Sequence, residues 1–168
     1  MSRRLCILAA VTAVVVIAAA SSAEATYRHI RLGHLPAPKG TPLPPEVDKI
    51  LKKEFPTGKV TGHWLEEKGE MEVFVSVPGS PVIEVVFLKK GAGPWHLAGY
   101  EYPVPTAALT PKAMSAIKAK YPAAKIVEVE LVFNASWVFC GYQVTLHDGS
   151  GTHEVFLTAG GTFAKDPL

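Results

Sequence analysis

Cysteine is nearly absent from this chain, which has only Cys6 and Cys140. Cys6 lies in an apolar N-terminal run, so removal of that run leaves Cys140 alone. No intrachain disulfide can then form, and core packing must hold the chain together. Charge is also scarce, at 19% of residues with a formal net of +2. Lys52-Lys53, Lys89-Lys90, Lys118 and Lys120 are dispersed, so the chain lacks a basic block for nucleic acid or an anionic membrane. No His-Glu-x-x-His helix, cysteine pair or Gly-x-Ser-x-Gly elbow occurs, which removes the usual signatures of zinc and serine hydrolases. Gly91-Ala92-Gly93 and Gly160-Gly161 open no helix, so a phosphate cradle is unsupported. A hydrophobic fraction of 48% and a mean hydropathy of +0.20 exclude disorder of the whole chain.

Met1-Ser2-Arg3-Arg4 is a short basic start, and Leu5 to Ala20 is an unbroken apolar run. Ala23 and Ala25 follow in the small-x-small arrangement of a signal-peptidase site. The run is shorter than the roughly 20 residues a membrane-spanning helix needs. Residues 1–25 are therefore expected to be a signal peptide cut between Ala25 and Thr26, giving a periplasmic or secreted protein with no membrane contact afterwards. Residues 26–42, with Pro36, Pro38 and Gly40, read as a flexible proline-rich leader.

Beyond the leader the sequence echoes itself. Leu43-Pro44-Pro45-Glu46 through Phe55-Pro56 is answered by Leu109-Thr110-Pro111-Lys112 through Tyr121-Pro122. The same offset pairs Lys59-Val60 with Lys125-Ile126, and a slightly longer one pairs Val86-Phe87-Leu88 with Val155-Phe156-Leu157. Each copy opens with a helical stripe: Val47, Ile50 and Leu51 in the first, Met114, Ile117 and Tyr121 in the second. Thr110 can cap the second helix, whereas Pro44 stands at that position in the first and predicts a weaker start. Pro56 and Pro122 stop both helices by excluding helical geometry from the preceding aromatic residue.

Strands are expected next, over Met71–Val77, Val82–Leu88 and Leu97–Val104, then Ile126–Phe133, Trp137–Leu146 and Glu154–Thr158. The expected fold is α+β: two tandem repeats, 43–105 and 106–168, each one helix packed on an antiparallel sheet of three to four strands. Units so small bury too little surface to stand alone, so the halves should pack into one body.

These segments, with the Leu-Pro helix start, the aromatic-Pro stop, the Lys-Val or Lys-Ile strand opening and Glu-Val-Phe-Leu, resemble the PepSY-like family of exported bacterial proteins. That family is similar in fold to the β-lactamase-inhibitor protein. The resemblance implies helix-on-sheet repeats, an envelope location, and binding or inhibition in place of catalysis. Leu88-Lys89-Lys90-Gly91 and Leu157-Thr158-Ala159-Gly160 stand where such proteins often carry an acidic turn.

Residues with chemistry in them are few. Cys140 lies in an apolar strand-like run and reads as a small core residue. For His147 and His153, a register that turns Val144, Leu146, Val155 and Leu157 to the core puts the two histidines on opposite faces, where they cannot share a metal. No catalytic residue, cofactor or metal is expected. Aromatic residues concentrate in the strands, and Trp64, Trp95, Trp137 and Tyr100 are the candidate partner-binding residues if they face away from the helices. The expected function is that of an exported, non-enzymatic module binding a protein or peptide of the cell envelope, as an inhibitor or modulator of a peptidase or hydrolase. The alternative is a carrier of an apolar small molecule in a pocket between helices and sheet.

Overall fold

The computed structural model describes residues 42–66 and 69–168. The expected signal peptide, its expected cleavage point between Ala25 and Thr26, and nearly all of the expected leader lie outside the described residues. Helix α1 spans Pro45–Glu54 and α2 spans Pro111–Lys120. Both begin with proline, whose missing N–H and fixed φ suit a first helical turn. At α2 the Thr110 hydroxyl accepts from the Ala113 N–H at 3.2 Å, while α1 has no side-chain cap at Pro44. The two helices end alike, with Phe55 at φ −127° and Tyr121 at φ −129°, each held to the extended side by the proline that follows.

Eight strands complete the fold: β1 (Lys59–Glu66), β2 (Glu70–Ser76), β3 (Ile83–Leu88), β4 (His96–Pro103), β5 (Lys125–Asn134), β6 (Phe139–Asp148), β7 (Gly151–Thr158) and β8 (Phe163–Ala164). A 3₁₀ turn, Thr106–Ala108, lies between β4 and α2. All eight strands form one antiparallel sheet in sequence order. The expectation of two repeats, each with a helix on its own three- or four-stranded sheet, is therefore corrected. At the boundary, Gly99–Pro103 of β4 pairs with Glu130–Asn134 of β5. The reason lies in hydrogen bonding: a free β4 would leave a row of backbone donors and acceptors open, and pairing with β5 closes it. The apolar faces merge as well, since Leu131 packs against the buried cluster under α1 and against that under α2.

One face of the sheet carries the helices. Val47 and Leu51 of α1 pack with Met71, Val73, Val75, Val85, Phe87 and Tyr100. Ala113 and Ile117 of α2 pack with Val129, Tyr142, Val144, Leu146 and Leu157. Full burial of an aliphatic side chain contributes about 1.5–3 kcal/mol, so a few such residues suffice to dock each short helix. The β6–β7 ladder pairs Leu146 with His153 and His147 with Thr152, so the two histidines lie on opposite faces as the parity reading requires.

Candidate site on the helix-free face of the sheet

Side chains alternate across a strand, so the residues between the core positions project from the other face. There, β2 contributes Glu72 and Phe74, β3 Glu84 and Val86, β4 Glu101, and β5 Glu128, Glu130 and Val132. Glu84 and Glu101 are directly opposite each other, and Glu130 belongs to the next strand. The carboxylate oxygens of Glu84, Glu101 and Glu130 come within 4.8 Å of one another. These residues are only 3%, 4% and 3% exposed.

Burial is the main force on all three acids and holds each well above the ordinary carboxylate range. Like charge adds to it: Glu72, Glu101 and Glu128 act on Glu84, and Glu84, Glu128 and Glu72 on Glu130. Glu84 and Glu130 also act on each other as a hydrogen-bonded pair, and both stay well above the ordinary range. Glu101 is pushed further by Glu130, Glu72, Asp166 and Glu70. Asp166 belongs to the C-terminal tail, where its carboxylate accepts the Leu168 N–H at 2.9 Å. The tail lies against this face: a Cβ on Gly99 would meet the Leu168 side chain and the Phe133 carbonyl. Gly141 is crowded in the same way by the Leu157 carbonyl and the Phe156 ring. The arrangement can share protons, or give up its protons to a cation. Oxygen donors of this kind suit a hard divalent ion, though such ions take six or more ligands.

The aromatic candidates are divided between the two faces. Trp64 is the register partner of Glu72, on the glutamate side, with its ring edge-on to Phe74 at 4.9 Å. It is 6% exposed. Tyr100 is fully buried on the helix side, stacked on Trp137 at 3.7 Å, and its hydroxyl donates to Glu54 at 3.5 Å. Trp137 is half-buried in the β5–β6 turn, where it adopts φ 61°. Trp95 is buried in the same cluster as Tyr100, beneath the Lys89 ammonium at 4.6 Å. The structure thus joins Tyr100 to Trp137 within the core and places Trp64 alone of the four beside the acids.

Two further groups resolve into structural roles. Cys140 is half-buried and its thiol donates to the Val138 carbonyl at 3.4 Å. At the β6–β7 turn the Ser150 hydroxyl lies 2.6 Å from Asp148 Oδ1 and 2.9 Å from His153 Nε2, and Asp148 Oδ1 is 3.2 Å from that same nitrogen. A nucleophilic triad needs the carboxylate and the hydroxyl on different imidazole nitrogens. Here both use Nε2, so the set ties the turn and activates nothing. The Asn134 side chain, part of a glycosylation-type triplet, accepts from the N–H groups of Ser136 and Val138 and shapes the turn under Trp137.

Sequence reasoning missed the glutamates. Each sits singly among apolar strand residues, as in Ile83-Glu84-Val85 and Tyr100-Glu101-Tyr102, and such alternation reads as a solvated face. The signal is their recurrence on four neighbouring strands, which depends on pairing and register. No protein-family model matches this chain, and no curated protein matches it. Among the described residues no helix is long and apolar enough to cross a membrane.

Proposed function

We propose that this protein is a non-enzymatic binding module that accepts a cationic segment of a protein or peptide on the helix-free face of its sheet. The observation that carries the reading is the convergence of the Glu84, Glu101 and Glu130 carboxylates, backed by Glu72 and Glu128. Lysine or arginine side chains arriving there would let these acids ionise, and each such pair in a sheltered site is a charge-assisted hydrogen bond. Trp64 and Phe74 supply apolar contact beside the acids. The signal-like N-terminus supports a place in the cell envelope. The resemblance to PepSY-like proteins adds restraint of an envelope peptidase or hydrolase as the wider role.

Calorimetry with the full chain tests this reading, using an Arg/Val-alternating peptide and its Glu/Val counterpart. The basic peptide should bind, weaken as salt rises, and lose at least about tenfold in affinity to the Glu84→Gln/Glu101→Gln/Glu130→Gln variant. Equal binding of both peptides, or an unaffected triple variant, would refute it.

A further inference from the structure

Every strand from β2 to β7 has a neighbour on each side, and β8 at the far edge is only two residues long. The long edge of the sheet is β1, whose eight residues pair with β2 alone. Such a row of outward N–H and C=O groups is a template for a further strand. Side chains on β1 are open as well. Val60 is 38% exposed and Leu65 61%, and among the described residues only Val138 is a further exposed large hydrophobic.

The faces of β1 follow from its partners on β2. Val60, His63 and Leu65 stand opposite Val75, Val73 and Met71, which point to the helices. Lys59, Gly62, Trp64 and Glu66 stand opposite Ser76, Phe74, Glu72 and Glu70, positions of the other face. The register shifts between Val60 and Gly62, so Thr61 is the extra residue, and its hydroxyl donates to the Phe74 carbonyl at 3.3 Å. Without that extra residue Val60 and Leu65 would lie on opposite faces, since their separation is odd.

With Thr61 set aside, the strand is complementary to itself. Turned antiparallel about His63, Lys59 meets Glu66, Val60 meets Leu65 and Gly62 meets Trp64, and each pair shares a face. A two-fold axis repeats every contact, so an edge that joins its own copy needs this property. Opposite charges fall at both ends, the exposed aliphatic residues fall on each other, and glycine leaves room beside the tryptophan. A slip of one residue would turn one copy over and put its helices on the wrong side.

We propose that two copies of this protein join antiparallel through β1, about a two-fold axis at His63, into one continuous sheet. The helices of both copies then lie on one side and both helix-free faces on the other, so a partner meets two such faces together.

Sedimentation equilibrium of the full chain tests this. It should show a dimer that dissociates on dilution, and a monomer at every soluble concentration would overturn the proposal. Lys59→Glu sets like charges opposite each other at both ends and should weaken the dimer at least about tenfold. Lys59→Glu/Glu66→Lys restores both pairs and should recover the original affinity, a recovery that a folding defect would not give. A double variant as weak as the single one would overturn the register. Residues facing each other across the axis are about 4.5–5.5 Å apart at Cα, within disulfide reach. His63→Cys, oxidised by glutathione disulfide, should therefore link the two copies at position 63, as mass spectrometry of the linked peptide would show. No link there, or one formed as readily by Gly62→Cys, would overturn the proposal.

Discussion

Glu84 and Glu101 face each other directly across β3 and β4, both buried, at the centre of an eight-stranded sheet. Like charges opposite one another destabilise a strand pair. Glu101→Gln keeps the shape and removes the charge. It should stabilise the protein at pH 7.5 by about 1 kcal/mol or more, and give no gain at pH 4, where the carboxyl is already neutral. Urea unfolding at the two pH values measures both.

The same acids set the sign of the pH dependence. Burial first, then mutual repulsion, raises Glu84, Glu101 and Glu130 in the folded state. Between the unfolded value, about 4.3, and the raised one, the native state binds more protons than the unfolded state. Stability from this source is therefore complete below about pH 4.3 and falls as pH rises. Asp148 acts oppositely: hydrogen bonds from the Ser150 side chain and backbone, then from His153, lower it to about 2, so its contribution is lost as pH falls toward that value. Maximum stability is expected on the acid side of neutrality. Melting temperature measured across the pH range checks this.

The two helix starts differ by one hydroxyl. Removing it with Thr110→Ala should cost about 1 kcal/mol, within the usual range of 0.5–2 for an N-cap. Pro44→Ala removes no cap bond, because none is made there, and should change stability less. Denaturant midpoints of the two variants decide it.

Gly99 and Gly141 are places where backbone and side chains leave no room for a Cβ. Gly99→Ala should destabilise by about 1–3 kcal/mol through overpacking against the Phe133 carbonyl and Leu168. Truncating Leu168 to alanine as well should recover only part of that loss, since the carbonyl is fixed by the β4–β5 ladder. A double-mutant cycle on unfolding free energy reads the recovery.

At the β6–β7 turn, Ser150→Ala should raise the Asp148 carboxyl from about 2 toward the ordinary aspartate value, because the Ser150 hydroxyl is the largest cause of the shift. The change can be followed by NMR titration of the Asp148 side chain.

Sequence alone determined the local elements of this protein. The stripes Val47–Leu51 and Met114–Ile117, the Thr110 cap and the stops imposed by Pro56 and Pro122 are properties of neighbouring residues, and the helices follow them. Odd register between β6 and β7 was equally legible, because a slip of one residue would turn Leu146 and Val155 outward. The alternation of Lys59–Glu66 is weak and broken by Gly62 and His63, so only the Lys59-Val60 opening of β1 was legible. Tertiary structure decided what joins what. Whether β4 ends one sheet or continues into β5 is a matter of which backbone groups meet across the chain, and no local pattern encodes it. That pairing made one sheet where two were expected, took Tyr100 and Trp137 into the core, and drew glutamates from separate strands into a single buried group. Each of those acids is an ordinary polar position in its own strand; burial in the assembled sheet, and then their convergence, raises their proton affinity.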